Sequence, residues 1–135
     1  MYQQMIFVNL ATNDVDASKK FFTELGYTIN PQFSTDDCTC VVISDTIIAM
    51  LLSKQRYADF TKKEIADSTK TSEVLICLSA ESREKVDELV GKAVEAGGTA
   101  NADVQDHGYM YGRSFDDLDG HSWEVVWMDP AAVQG

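Results

Sequence analysis

The side chains able to do chemistry are few and widely spaced. Glu124 sits in an alternating run, Ser122-Trp123-Glu124-Val125-Val126-Trp127-Met128. Strand periodicity puts it on one face with Ser122, Val126 and Met128 and puts both tryptophans on the other. A carboxylate on such a face can act as a general base or anchor a cationic or hydrogen-bond-donating group; the alternative is a structural carboxylate held by tyrosine or arginine donors. Burial without a compensating donor raises its pKa. Arg113, inside Tyr109-Met110-Tyr111-Gly112-Arg113-Ser114-Phe115, is the other charge expected within a strand. It either grips a carboxylate beside an inward Tyr109 or Tyr111, or stands solvated on the outer face.

His107 and His121 are the only histidines, and both read as loop or turn residues rather than ligands. Cys38, Cys40 and Cys77 form no even disulfide framework. Cys38-Thr39-Cys40 falls in an alternating stretch that reads as a strand, and the redox motif with two intervening residues is absent. Reduced thiols in the cytoplasm are expected.

The 135 residues, 44% hydrophobic and 24% charged, suit one domain with an ordinary core. The net charge of −11 disfavours a nucleic-acid partner, because phosphate binding needs clustered Lys and Arg. It either favours cationic small molecules or simply maintains solubility. The opening Met1-Tyr2-Gln3-Gln4 has no basic leader, and no apolar run reaches the roughly 18 residues of a membrane span, so no membrane association is expected.

Positioning these groups falls to a repeated order of elements. Met5–Ala11 reads as a buried strand, Asn13-Asp14 as a helix cap, and Ala17, Phe21, Phe22 and Leu25 as the apolar stripe of a helix ended by Gly26. Strands are expected near Tyr27–Asn30, Cys38–Ile43 and Ile47–Leu52, then a polar segment from about Ser53 to Lys70. The order restarts with a strand at Glu73–Leu78, a helix carrying Val86, Leu89, Val90, Ala93 and Val94, and a stop at Gly97-Gly98. Strands follow near Thr99–Val104, Met110–Phe115 and Ser122–Met128, the last preceded by the turn Leu118-Asp119-Gly120-His121. The chain is thus an internal duplication of a β-α-β-β-β module, with module one at about 1–56, a connecting segment at about 57–71 and module two at about 72–129.

Phe7-Val8-Asn9-Leu10, followed by Asn13-Asp14-Val15-Asp16-Ala17-Ser18 and Phe21-Phe22…Leu25-Gly26-Tyr27, resembles the opening module of the vicinal-oxygen-chelate superfamily. Asp119-Gly120-His121-Ser122-Trp123-Glu124-Val125-Val126, with Gly112-Arg113-Ser114-Phe115 before it, resembles the closing strands. That superfamily includes glyoxalases, bleomycin-resistance proteins and extradiol dioxygenases. The resemblance implies an α+β fold in which two β-α-β-β-β modules form curled half-barrels around a cavity. Members commonly hold a divalent metal through side chains on the first and last strands of each module, and use it as a Lewis acid or to activate dioxygen.

Carried onto this chain, the ligand positions fall on Phe7, with Asn9 the nearest polar neighbour, on Met50, on Leu75, with Glu73 at the strand's start, and on Glu124. Only Glu124 matches a ligand type. No metal site and no cofactor are therefore expected, a divalent metal being disfavoured. The favoured function is binding of a small organic ligand in an aromatic-lined cavity formed by Phe7, Asn9, Met50, Leu75, Tyr109, Tyr111, Arg113 and Glu124, with Glu124 as the candidate catalytic group. The resemblance also implies a homodimer. The rivals are a metal-dependent lyase, isomerase or dioxygenase, with Glu124, Glu73 and a histidine improvising a site, and a non-catalytic interaction domain.

Overall fold

The structure, a computed structural model, describes residues 2–100 and 102–133. The chain divides into two compact units, one running to Asp67 and the other starting at Ser68. In the first, β1 (Ile6–Thr12) leads through α1 (Val15–Glu24) to β2 (Thr28–Ile29), β3 (Cys38–Val42), β4 (Ile47–Ser53) and a single turn, α2 (Lys54–Tyr57). In the second, β5 (Leu75–Ser79) leads through α3 (Arg83–Glu95) to β6 (Gln105–Asp106), β7 (Met110–Asp116), β8 (Ser122–Met128) and the short α4 (Pro130–Val133). Each unit carries an open four-stranded mixed sheet, ordered β1-β4-β3-β2 in one and β5-β8-β7-β6 in the other. The β-α-β-β-β duplication is therefore the architecture. Among the described residues, no helix is long and apolar enough to cross a membrane.

Local chemistry sets the helix boundaries. Asp14 caps α1 by accepting the Ala17 N–H at 3.0 Å, and Ser82 caps α3 by accepting the Lys85 N–H at 3.1 Å. Gly26 and Gly97 end the two helices at φ +104° and +110°, values that a side chain would strain.

Each helix covers one face of its own sheet. In the first unit Phe21, Phe22 and Leu25 pack with Leu10, Val41, Ala49 and Leu51, all buried, and the polar pair Thr12 and Ser18 is satisfied by a 2.6 Å hydrogen bond. In the second, Val86, Val90 and Ala93 of α3 join Leu78, Phe115, Trp123 and Val125. Phe115 and Trp123 lie with rings parallel, 6.3 Å between centroids.

One expected strand is corrected. In the stretch 99–104, Thr99 makes only an isolated bridge to Asp116, the notional midpoint at residue 101 lies outside the described residues, and the strand falls later, at Gln105–Asp106. Thr99 to Asp103 lacks the alternating apolar side chains that hold a strand face on a core.

Candidate functional site

With the helices covering one face, the other face of each sheet is left to build a site. In the first unit, register places Phe7 beside Ile48, and Asn9 and Cys40 on either side of Met50. Directly paired residues share a face, so these side chains stand together opposite α1. They line a hollow of about 580 Å³ with Met5, Asn30 and Phe33. Asn30 and Phe33 arrive through a short 3-10 turn, Pro31–Phe33, in which the Asn30 side chain accepts the Gln32 N–H at 3.0 Å. The wall is aliphatic, aromatic and sulfur-bearing, with two carboxamides as its polar groups. Asn9 lies on the exposed β1, where its amide is 3.5 Å from the Phe7 carbonyl.

Phe7, Asn9 and Met50 are thus brought together, and Asn30, Phe33 and Cys40 join them unanticipated. Asn30-Pro31, a cap residue followed by a helix-initiating proline, was the available signal for the turn that delivers two of the three.

In the second unit, Glu124 lies between Cys77 on β5 and Ser114 on β7 in a row across the sheet. It lines a smaller hollow of about 230 Å³ with Gln105, Met110, Arg113, Ser114 and Val126. Glu124 is half-buried, beside a thiol and a hydroxyl rather than sealed behind apolar walls. Burial, and secondarily the Glu124 charge, pushes the Cys77 thiol above its ordinary range. Leu75 shares this face through its pairing with Ser122 and is 62% exposed.

Arg113 lines this hollow with Glu124, as expected, whereas Tyr111 does not line it, which corrects the expectation for that residue. Arg113 pairs with the core residue Val125, so the odd-numbered residues of β7 face α3. There the Tyr111 hydroxyl donates to Asp87 at 2.7 Å and Arg113 donates to the same oxygen at 3.1 Å. These donors hold the Asp87 carboxyl below its ordinary range, the Tyr111 hydrogen bond contributing most. The physical reason is parity: in a strand, one residue step turns a side chain through to the other face. Tyr109 precedes β7, is 52% exposed and tilts against the His107 ring at 6.4 Å.

Nor do Glu124, Glu73 and a histidine assemble. Among the described residues, Asp117, Asp119 and His121 form the one group of three acidic, thiol or imidazole side chains whose ligand atoms lie within 4.8 Å of one another. That group belongs to the turn between β7 and β8. The Asp117 carboxylate accepts the N–H groups of Asp119 and His121, each at 3.0 Å, and the Trp123 indole N–H at 3.0 Å. His121 Nδ1 is 3.0 Å from the Ser68 hydroxyl, and Gly120 lies at φ +87° where a Cβ would stand 2.8 Å from the Ser68 carbonyl oxygen. Burial pushes Asp117 up, while His121 and its three donors oppose that shift.

This repeated module, with its two uncovered sheet faces, defines the class. The chain belongs to the glyoxalase/bleomycin-resistance/dioxygenase family of the vicinal-oxygen-chelate superfamily. The family model described as bleomycin resistance protein-like N-terminal matches residues 4–44. A hypothetical protein from S. aureus is 30% identical, with a TM-score of 0.78 over 94% of each chain. A glyoxalase/bleomycin resistance protein/dioxygenase family enzyme from Burkholderia phytofirmans is 17% identical, with a TM-score of 0.76 over 93% of this chain and 99% of that one. A lactoylglutathione lyase from Agrobacterium tumefaciens is 15% identical, with a TM-score of 0.68 over 93% of this chain and 94% of that one. No curated protein matches the chain in sequence.

Proposed function

We propose that this protein binds a small organic ligand on an uncovered sheet face, without a divalent metal. The observation that carries the reading is the first-unit hollow. Its roughly 580 Å³ lies within the range of about 300–1,000 Å³ usual for small-molecule pockets. Its apolar body, set by Phe7, Phe33, Ile48 and Met50, suits an aromatic or aliphatic ligand, while Asn9 and Asn30 offer amide groups to orient it. Glu124 in the second unit offers a carboxylate to a cationic or hydrogen-bond-donating group, and is the residue proposed as a base if the ligand is turned over.

The family's metal does not fit the residues present. The four positions hold Phe7, Met50, Leu75 and Glu124, that is, two hydrocarbons, one thioether and one carboxylate. A catalytic zinc needs about three protein donors of nitrogen, thiolate or carboxylate type.

A panel of neutral and cationic aromatic compounds screened by ligand-observed NMR tests the reading, alongside metal analysis of protein purified without chelator. Hits are expected to lose binding in Phe7→Ala and Met50→Lys. Cationic hits that engage Glu124 should weaken at least roughly tenfold, about 1.4 kcal/mol, in Glu124→Gln. Stoichiometric zinc, nickel, iron or manganese, or hits indifferent to Phe7 and Met50, would overturn it.

A further inference from the structure

The first-unit hollow has a second chemical character, independent of any organic ligand. Cys38 and Cys40 are residues i and i+2 of β3, so their side chains stand on one face about 6.6 Å apart along the strand. Cys40 is 4% exposed, lines the hollow and pairs across the sheet with Met50, which lines it too. Met5 contributes a further thioether to the wall. Cys38 is half-buried, its Sγ 3.4 Å from the Phe33 carbonyl and 3.6 Å from the Thr35 hydroxyl. All three cysteines of the chain are free thiols.

We infer that Cys38, Cys40 and Met50 form a site for a soft, thiophilic monovalent cation, Cu(I) being the probe of choice. Donor chemistry makes the selection: two thiols and a thioether suit Cu(I), whereas hard divalent ions need carboxylate, carbonyl and water oxygens. On binding, each thiol releases its proton to solvent as its sulfur–metal bond forms, and no electron is transferred. The net charge of −11 favours approach of any cation. The inference does not rest on the proposed ligand: Cys38 and Cys40 carry it, and organic binding is read separately.

The test is an anaerobic competition between the reduced protein and a chromophoric Cu(I) chelator. The protein is expected to withdraw one equivalent and to develop ultraviolet thiolate–copper absorption. Loss of even an outer partner of a metal site costs 10–100-fold, so Cys38→Ser and Cys40→Ser should each weaken binding by at least about 100-fold. Met50→Leu should weaken it by about tenfold, and Cys77→Ser should leave it unchanged. Circular dichroism checks the fold of each variant. If a cysteine variant does not fold, protection of Cys40 from alkylation by one equivalent of Cu(I) in the unaltered protein gives the same answer. Retention of copper by the Cys38→Ser/Cys40→Ser variant, its loss in Cys77→Ser, or an unprotected Cys40 would overturn the assignment.

Discussion

Glu124 and Cys77 face each other across β5 and β8, and the chemistry of each depends on the other. The carboxylate adds to burial in raising the thiol, so Cys77 is a sluggish nucleophile near neutral pH despite its exposure. Glu124→Gln removes that negative charge while keeping the shape. The Cys77 titration should then move down toward the ordinary thiol range, and alkylation by iodoacetamide at mildly alkaline pH should accelerate. Peptide-resolved mass spectrometry separates Cys77 from Cys38 and Cys40. An unchanged or slower Cys77 rate would show that the Glu124 charge does not reach the thiol. The same row contains Ser114, so the carboxylate stands between a thiol and a hydroxyl, of which the hydroxyl shares the second hollow with it.

Between elements, the join of α3 to β6 and β7 is polar and aromatic. Arg83, the first residue of α3, makes paired hydrogen bonds to the Asp106 carboxylate at 2.8 and 3.0 Å and a third to the Gly108 carbonyl. Its guanidinium lies 5.1 Å from the Tyr111 ring centroid and 5.3 Å from that of Trp127. Arg83, and next the Gly108 N–H, hold the Asp106 carboxyl at about 2, below the usual 3.8. A depressed folded pKa means that the native state binds its proton less readily than the unfolded chain. This contribution to stability is therefore complete above about 3.8 and is lost as the pH falls through about 2. Arg83→Met keeps the packed stem and removes the charge. Asp106 should then titrate higher, toward 3.8 but held below it by the Gly108 N–H, by carboxyl NMR, and thermal melts should lose part of their acid dependence in this window. If Asp106 still titrates near 2, the Arg83 pairing is not the cause.

At the scale of the whole molecule, β1 ends one sheet and β5 ends the other. Both edge strands carry outward apolar side chains, with Ile6 56%, Phe7 57% and Leu75 62% exposed. Unpaired edges bearing apolar residues invite association, and a closed two-fold arrangement covers them without growing a fibre. We therefore expect a homodimer: sedimentation at micromolar concentration should give twice the 15.0 kDa chain mass, and Leu75→Lys should shift the protein toward the single chain. A 15.0 kDa species alone in the unaltered protein would refute this.

Periodicity, helix caps and glycine stops determined the element order, because they act within a few residues of sequence: Asp14, Ser82, Gly26 and Gly97 stand where the helices begin and end. Alternation likewise put Glu124 on the face opposite Trp123 and Val125, and the repeated motifs at the two ends pointed to the superfamily. What the sequence left open was which strand faces the helix. Tyr111 and Arg113 were both expected beside Glu124; inter-strand register brings both to hydrogen bonds with Asp87 on α3, and of the two only Arg113 also lines the Glu124 hollow. Only pairing across the sheet could bring Cys40 to Met50 and Cys77 to Glu124, residues 10 or more positions apart whose meeting no local pattern encodes. The same holds for Asp117: its reach to the Trp123 indole depends on a turn whose closure exists only once Gly120 lies against Ser68.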